Sequence, residues 1–382
     1  MQNLCITTTC FPNEDNSYYG GIFIKRELEE LSKYFKKVHV IVPTARGTLQ
    51  SRCCQDYAYR NINVYFPLYL HLPFHFFRTL SGEKHITAIK NIIDNNELKF
   101  DIIYSHFLWQ AGYASIKIKE IYQVPTVVVG HGTDIREPLT TSKIWLKDKL
   151  DYTVKNADTV LVNHEELKDL LLNDYEEYMG KIKYNHKGID LNKFGGIKTI
   201  NKDKFVVLFV GNMNEFKDPK TFIECANILI NILNRKDIIF KIIGVGPLAE
   251  ECWSMIYKYK LKEFVKYING VNNIEEYYRN CDVCCNISPI ENIWSTTLQE
   301  ALCSNKPCIV TKAGYTERTL THKKDAYLID IKRPEKLAEA ILKIKKDDKL
   351  RYRLSNTKWK KEFNLAKTTM KLYTIMRTTK CH

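Results

Sequence analysis

Ser295-Thr296-Thr297 is a run of hydroxyl residues at the start of an expected helix, and Glu300 stands in that helix's second turn. Hydroxyl side chains cap helix N-termini, where free backbone N–H groups attract an anion such as a diphosphate. Glu300 cannot bind that anion, but its carboxylate can accept two hydrogen bonds from a diol such as a ribose. Glu291 precedes the helix and is placed to meet the hydroxyls of a second ring. Without a ligand, Glu300 reads as a solvent-facing helical glutamate.

Other segments carry weaker signals of the same kind. Gly211 opens a turn that ends in Lys217, a compact point charge suited to phosphate. His131-Gly132-Thr133-Asp134 follows the β-rich run Thr126–Gly130; His131 offers a donor or acceptor near neutral pH, and Gly132 permits close approach. The plain alternative is a loop histidine satisfied by Asp134. His106 follows Ile102–Ser105 but lacks a glycine, which leaves both readings open for it. Gly20-Gly21 precedes a helix starting near Ile22, where backbone N–H groups could approach a phosphate; a Gly-Gly pair is more often only a turn. Gly244-Val245-Gly246-Pro247 and Ala313–Glu317 are further strand-end turns. The chain has no G-x-G-x-x-G fingerprint and no P-loop.

The elements that must position these residues alternate along the chain. Leu4–Thr8, Val38–Val42, Ile102–Ser105, Thr126–Gly130 and Thr159–Val162 read as strands with helical spacing between most of them. A polar stretch from Gly188 to Lys204 follows, and the pattern restarts. Phe205–Val210, Ile239–Ile243, Val265–Ile268, Val283–Asn286 and Cys308–Val310 are the second set. The reading is α/β: two doubly wound, Rossmann-like domains in tandem, expected to face each other across a cleft that holds the site beyond the carboxyl ends of the strands. The expected domains are residues 1–195, residues 196–355, and a C-terminal helical segment, 356–382, packing back on the first domain. Trp359, Phe363, Met370 and Tyr373 would form an apolar stripe on that segment.

Composition narrows the function classes. The chain has 382 residues, a formal net charge of +14 and twelve cysteines. A length of this order suits two domains. The apolar runs are strand-length, well below the roughly 18 residues of a membrane span, and no leader segment is evident, so a cytosolic protein is expected. Cys281, Cys284 and Cys285 form a C-x-x-C-C cluster, but Cys303 and Cys308 supply no second pair at metal-ligand spacing. Buried thiols are the better reading, and no metal is expected. The positive charge is spread over helices with no basic-aromatic nucleic-acid motif, so no nucleic-acid partner is expected.

Taken in order, these motifs resemble the retaining glycosyltransferases of family 4, which have the GT-B fold. The resemblance covers nearly the whole chain. It rests on Gly20-Gly21, His131-Gly132-Thr133-Asp134, Gly211 to Lys217, Gly244-x-Gly246-Pro247, Glu291 to Glu300-Ala301 and Gly314-x-x-Glu317, with Gly188-Ile189-Asp190 leading to the interdomain linker. It implies catalytic roles for His131 near the reacting sugar, for Lys217 on the donor diphosphate and for Glu291 on the donor sugar. It implies donor contacts from Gly21, Asn212, Ser295, Thr296, Thr297 and Glu300. Asn212 stands where many members have arginine. Glu291 and Glu300 are nine positions apart where the family usually has eight.

The implied partners are a nucleotide-sugar donor as co-substrate, with no cofactor, and a sugar or lipid-linked acceptor. Leu68–Leu80, rich in aromatic and apolar groups, reads either as a segment packed on the first domain or as a peripheral contact with the inner face of an anionic membrane. A sugar-nucleotide epimerase of the same architecture and a catalytically silent binding partner are the alternative functions.

Overall fold

A computed structural model describes residues 2–18, 20–70, 79–140, 142–196, 203–271, 273–290 and 294–381. The chain forms two compact units, Met1–Lys187 with Ala366–His382, and Gly188–Leu365.

The strands of the first unit are β1 (Leu4–Thr7), β2 (Val38–Ile41), β3 (Thr44–Ala45), β4 (Tyr57–Tyr59), β5 (Ile62–Tyr65), β6 (Leu68–Tyr69), β7 (Ile102–His106), β8 (Thr126–Gly130), β9 (Thr159–Val162) and β10 (Ile182–Tyr184). Its main sheet has the order β10-β9-β8-β7-β1-β2-β5-β4, and β3 pairs with β6 separately. Only the β4–β5 pairing of this sheet is antiparallel. β1, β2, β7, β8 and β9 are buried along their whole length, as expected of parallel strands covered on both faces by helices. The sequence pattern passed over β4, β5 and β10. β5 alternates buried and half-buried residues, and β4 and β10 are three-residue edge strands, too short for a run to stand out.

The second unit contains β11 (Phe205–Val210), β12 (Ile238–Ile243), β13 (Val265–Ile268), β14 (Val283–Asn286), β15 (Cys308–Thr311) and β16 (Tyr327–Ile329). Their order is β13-β12-β11-β14-β15-β16, all parallel. Chain direction across each sheet reverses at one place: between β1 and β7 in the first unit and between β11 and β14 in the second. Loops diverge there and leave a crevice at the carboxyl ends of the strands. Most of the chemically suggestive residues lie on these loops.

The division between units falls earlier than the junction expected near residue 195. Residues 188–195 are held by the second unit. Ile189 bridges to Asn364, its N–H reaches the Phe363 carbonyl at 2.6 Å, and Phe194 is buried against Tyr278. The C-terminal segment is divided too. Trp359 and Phe363 pack with Trp294 in the second unit's core, with Trp294 and Trp359 centroids 4.3 Å apart. Only the later helix, Leu365–Thr378, joins the first unit, through Leu372, Met376 and a 4.7 Å stack of Tyr373 on Tyr34. The apolar stripe expected over this segment is therefore not one face, and Met370 is exposed.

Candidate active site

In the first unit the switch point is lined by a chain of polar side chains. His106 ends β7 and is buried; His131 follows β8. Their rings meet through Nδ1 of His106 and Nε2 of His131 at 3.1 Å. The planes differ by 9° with centroids 5.3 Å apart, so the rings lie edge to edge in nearly one plane. On its other side, Nδ1 of His131 lies 3.1 Å from the Asn163 side-chain amide, just beyond β9. With that amide donating to Nδ1, His131 carries its proton on Nε2 and donates it to His106. Nε2 of His106 then points toward Glu27 Oε1 at 3.9 Å, and Tyr104 donates its hydroxyl to the same oxygen at 3.0 Å.

Asp134 does not satisfy the His131 ring. Its carboxylate accepts from the backbone N–H groups of His131 and Gly132, each at 2.9 Å, and of Leu108 at 2.8 Å. It thereby ties the loop after β8 to the loop after β7. Phe107 in the latter is held at φ 74°, a strained conformation for a side-chain-bearing residue, and its ring lies 4.7 Å from His131. Phe23 approaches His131 edge-on at 5.1 Å, and Lys187 sits 4.1 Å over the Phe23 ring.

Burial sets the charges here. It holds His131 well below the usual imidazole range, helped by the positive charge of Lys187. It pulls His106 down to about 3 for the same two reasons. Burial lowers Lys187 and raises Glu27. At neutral pH the imidazoles are uncharged. Gly21 caps the Ile22–Leu31 helix at φ 79°, and a Cβ there would lie 2.5 Å from the Cys10 carbonyl oxygen. Conformation and close backbone approach both require glycine, so the turn accounts for Gly21 without a ligand.

The second unit gathers its residues at the switch point between β11 and β14. The turn after β11 runs from Gly211 to Lys217. The stem of Lys217 lies over Gly211, its Cγ 3.2 Å from where a Cβ would stand. Asn212 is exposed on the same turn. The turn after β12 supports it from behind: Met213 N–H reaches the Val245 carbonyl and Leu248 N–H the Met213 carbonyl, both at 2.9 Å. A Cβ on Gly244 would fall 1.8 Å from the Gly211 oxygen, so backbone packs directly on backbone. Ser288, after β14, donates its hydroxyl to the Phe216 carbonyl, and Thr311 donates to the Ser288 carbonyl at 2.5 Å. These bonds tie the Lys217 turn to the loop that leads into the Thr296–Cys303 helix.

That helix begins where the hydroxyl run places it. Ser295 is its N-cap, accepting from Leu298 N–H at 3.3 Å and from the Asn286 amide. Thr296 and Thr297 are half-buried in its first turn. Glu300 is not solvent-facing: it is 5% exposed, and Oε2 accepts from the Tyr278 hydroxyl at 3.2 Å. The same hydroxyl lies 3.1 Å from the Thr297 carbonyl. Tyr278 is 1% exposed, and burial followed by the Glu300 charge pushes its phenol far up, so it remains a donor. Glu291 lies outside the described residues. Cys281 and Cys284 are buried with sulfurs 3.4 Å apart, and Cys285, Cys303 and Cys308 are buried free thiols. Among the described residues no group of three or more histidine, cysteine or acidic side chains could hold a metal ion.

A family model described as Glycosyltransferase Family 4 matches residues 21–193, and one described as Glycosyl transferases group 1 matches residues 193–361. The chain belongs to the group 1 glycosyltransferase family. A UDP-Gal:alpha-D-GlcNAc-diphosphoundecaprenol alpha-1,3-galactosyltransferase of Escherichia coli is 24% identical over 295 residues, 72% of this chain and 74% of the relative. A D-inositol 3-phosphate glycosyltransferase of Paenarthrobacter aurescens is 22% identical, and this chain spans only 64% of its length. The crystal structure of Anabaena HepE in complex with UDP superposes with a TM-score of 0.74 at 16% identity, covering 99% of this chain and 100% of that one. The fold is GT-B.

As a group 1 glycosyltransferase, the chain places its sequence-selected residues in two sets. His131 gathers with His106 in the first unit. Lys217, Asn212, Ser295, Thr296, Thr297 and Glu300 lie at one switch point of the second. Sequence reasoning missed Tyr278, Asn163 and Glu27. Each sits inside a helix or at a strand end with no glycine or motif beside it, and the only local signal for Tyr278 was a bulky aromatic on a short amphipathic helix. No helix among the described residues is long and apolar enough to cross a membrane. Of the Leu68–Leu80 segment, residues 71–78 lie outside the described residues; Leu68, Leu70 and Leu80 are exposed.

Proposed function

We propose that this glycosyltransferase moves a sugar from a nucleotide-diphosphate sugar to an acceptor hydroxyl with retention of anomeric configuration, in the synthesis of a cell-surface polysaccharide or glycolipid. The observation that carries the reading is the Tyr278–Glu300 pair under the N-terminus of the Thr296–Cys303 helix, tied through Ser288 to the Lys217 turn. In this reading Glu300 accepts from the nucleotide ribose. Lys217 and the N–H groups beyond Ser295 stabilise the diphosphate as it leaves. The reacting centre becomes oxocarbenium-like; the role assigned to His131 is contact with the reacting sugar, and as a neutral imidazole it would not repel the developing charge. No enzymic nucleophile is assigned: the leaving phosphate helps to deprotonate the acceptor. No cofactor beyond the donor is invoked.

Support for a uridine nucleotide comes from the relatives: HepE was crystallised with UDP, and the E. coli galactosyltransferase is named for a UDP-sugar. That relative's diphosphoundecaprenol acceptor supports a lipid-linked acceptor reached by peripheral contact with anionic membrane. No observation on this chain favours the epimerase or the silent partner. The test is incubation of purified protein with a panel of UDP-sugars and acceptors, with the product's anomeric configuration read by NMR. The reading expects transfer with the donor's configuration kept, and loss of transfer in both His131→Ala and Lys217→Ala. Inverted product, or unchanged rates in both variants, overturns it.

A further inference from the structure

A cavity of about 730 Å³ lies in the first unit, at the amino ends of β9 and β10, the opposite edge of the sheet from His106 and His131. That volume is in the range of small-molecule sites. Lys119, Lys155, Lys181, Lys183 and Lys380 line it, against the acidic groups Glu120, Asp158 and Glu177. Two of those acids are already engaged. Asp158 is buried, paired with Lys119 at 2.6 Å and bonded to Thr126 N–H at 2.8 Å. Glu120 pairs with Lys117 at 3.1 Å. Among the described residues, no ion pair involves Lys155, Lys181, Lys183 or Lys380.

Lys181 has a structural task. It donates to the carbonyls of Lys155 at 2.6 Å and Ala157 at 3.0 Å, at the end of the Ile144–Asn156 helix. Carbonyl dipoles at a helix end carry only part of a charge, so this capping fixes the ammonium in place without neutralising it. Burial, and then the neighbouring charge of Lys119, bring Lys181 down to about 8. A surplus of positive charge around a half-enclosed volume is what a multiply charged anion would relieve. Phosphate supplies that charge and several acceptor oxygens.

We propose that this cavity is a second binding site, for a phosphate-bearing ligand, distinct from the residues that would hold the sugar donor. The phosphate is either free or carried on a lipid headgroup; the chemistry recognised is the same.

The full chain is titrated with inorganic pyrophosphate by calorimetry and with phosphatidic-acid vesicles by co-sedimentation, phosphatidylcholine vesicles serving as the control. Lys155→Glu with Lys183→Glu changes two side chains outside the buried Lys119–Asp158 pair, and unchanged thermal unfolding confirms that the variant folds. This double variant is expected to weaken binding of at least one phosphate probe by about tenfold or more. Lys217→Ala leaves that binding intact. Pyrophosphate binding identifies a free ligand, and binding to phosphatidic-acid vesicles alone identifies a headgroup. The proposal is overturned if neither probe binds, or if binding is lost in Lys217→Ala and kept in the double variant.

Discussion

Tyr278 and His106 show how single side chains define the site. Tyr278→Phe removes the donor that holds Glu300 while leaving the ring in its buried place. The expected result is a stability loss of about 1 kcal/mol by chemical denaturation and a donor KM raised several-fold with kcat little changed. A fall in kcat with KM unchanged would mean that Tyr278 does not act through the donor. His106 carries a pH prediction. Its folded pKa, about 3, lies below the ordinary value of 6.5, so the unfolded chain binds the extra proton between those values. His131 shifts in the same direction. Their contribution to stability is therefore full above about pH 6.5 and is lost progressively as pH falls toward about 3. Thermal unfolding between pH 7 and pH 4 should show a falling midpoint, and His106→Gln should flatten that slope. Glu300 was legible as a chemical group because its hydroxyl-capped helix is written in adjacent residues. Its partner Tyr278 was not, because that contact joins positions 22 apart in sequence.

At the scale of elements, the strand-end turns position the chemistry. Gly211 lies under the movable Lys217 stem and Gly21 against the fixed Cys10 carbonyl, so these two glycines separate activity from stability. Gly211→Ala forces the flexible Lys217 side chain to shift by a few tenths of an ångström. It should reduce transfer while lowering stability by only about 0.5–1 kcal/mol. Gly21→Ala meets rigid backbone at a positive φ and should cost about 1–3 kcal/mol, measured by urea unfolding. Equal stability losses in both variants would contradict the distinction between a movable side chain and fixed backbone. Buried parallel strands such as β8 and β11 were legible as unbroken apolar runs. The β4–β5 hairpin and the edge strands β10 and β16 were not, because short or half-exposed strands carry little periodicity.

The whole molecule is a pair of Rossmann-like units, and the repeat of strand and helix along the chain revealed that much. The ends of the units were misplaced because the returning segment alternates its allegiance: Trp359 and Phe363 belong to one core, Leu372 and Met376 to the other. Removal of residues 366–382 should therefore destabilise the first unit, exposing Leu372's and Met376's partners, and leave the unfolding of the second unaltered. Differential scanning calorimetry would resolve the two, and a change confined to the second unit's transition would refute this assignment. The proposed function requires that the second unit bind a nucleoside diphosphate through Glu300 and Lys217. Its most direct test is a thermal-shift titration of the full chain with UDP and the other nucleoside diphosphates, since a ligand that binds the folded state raises the unfolding midpoint. At least one nucleoside diphosphate should raise the midpoint of the wild type, and Glu300→Ala and Lys217→Ala should each diminish the shift. No shift with any nucleoside diphosphate, or the same shift in both variants, would contradict it.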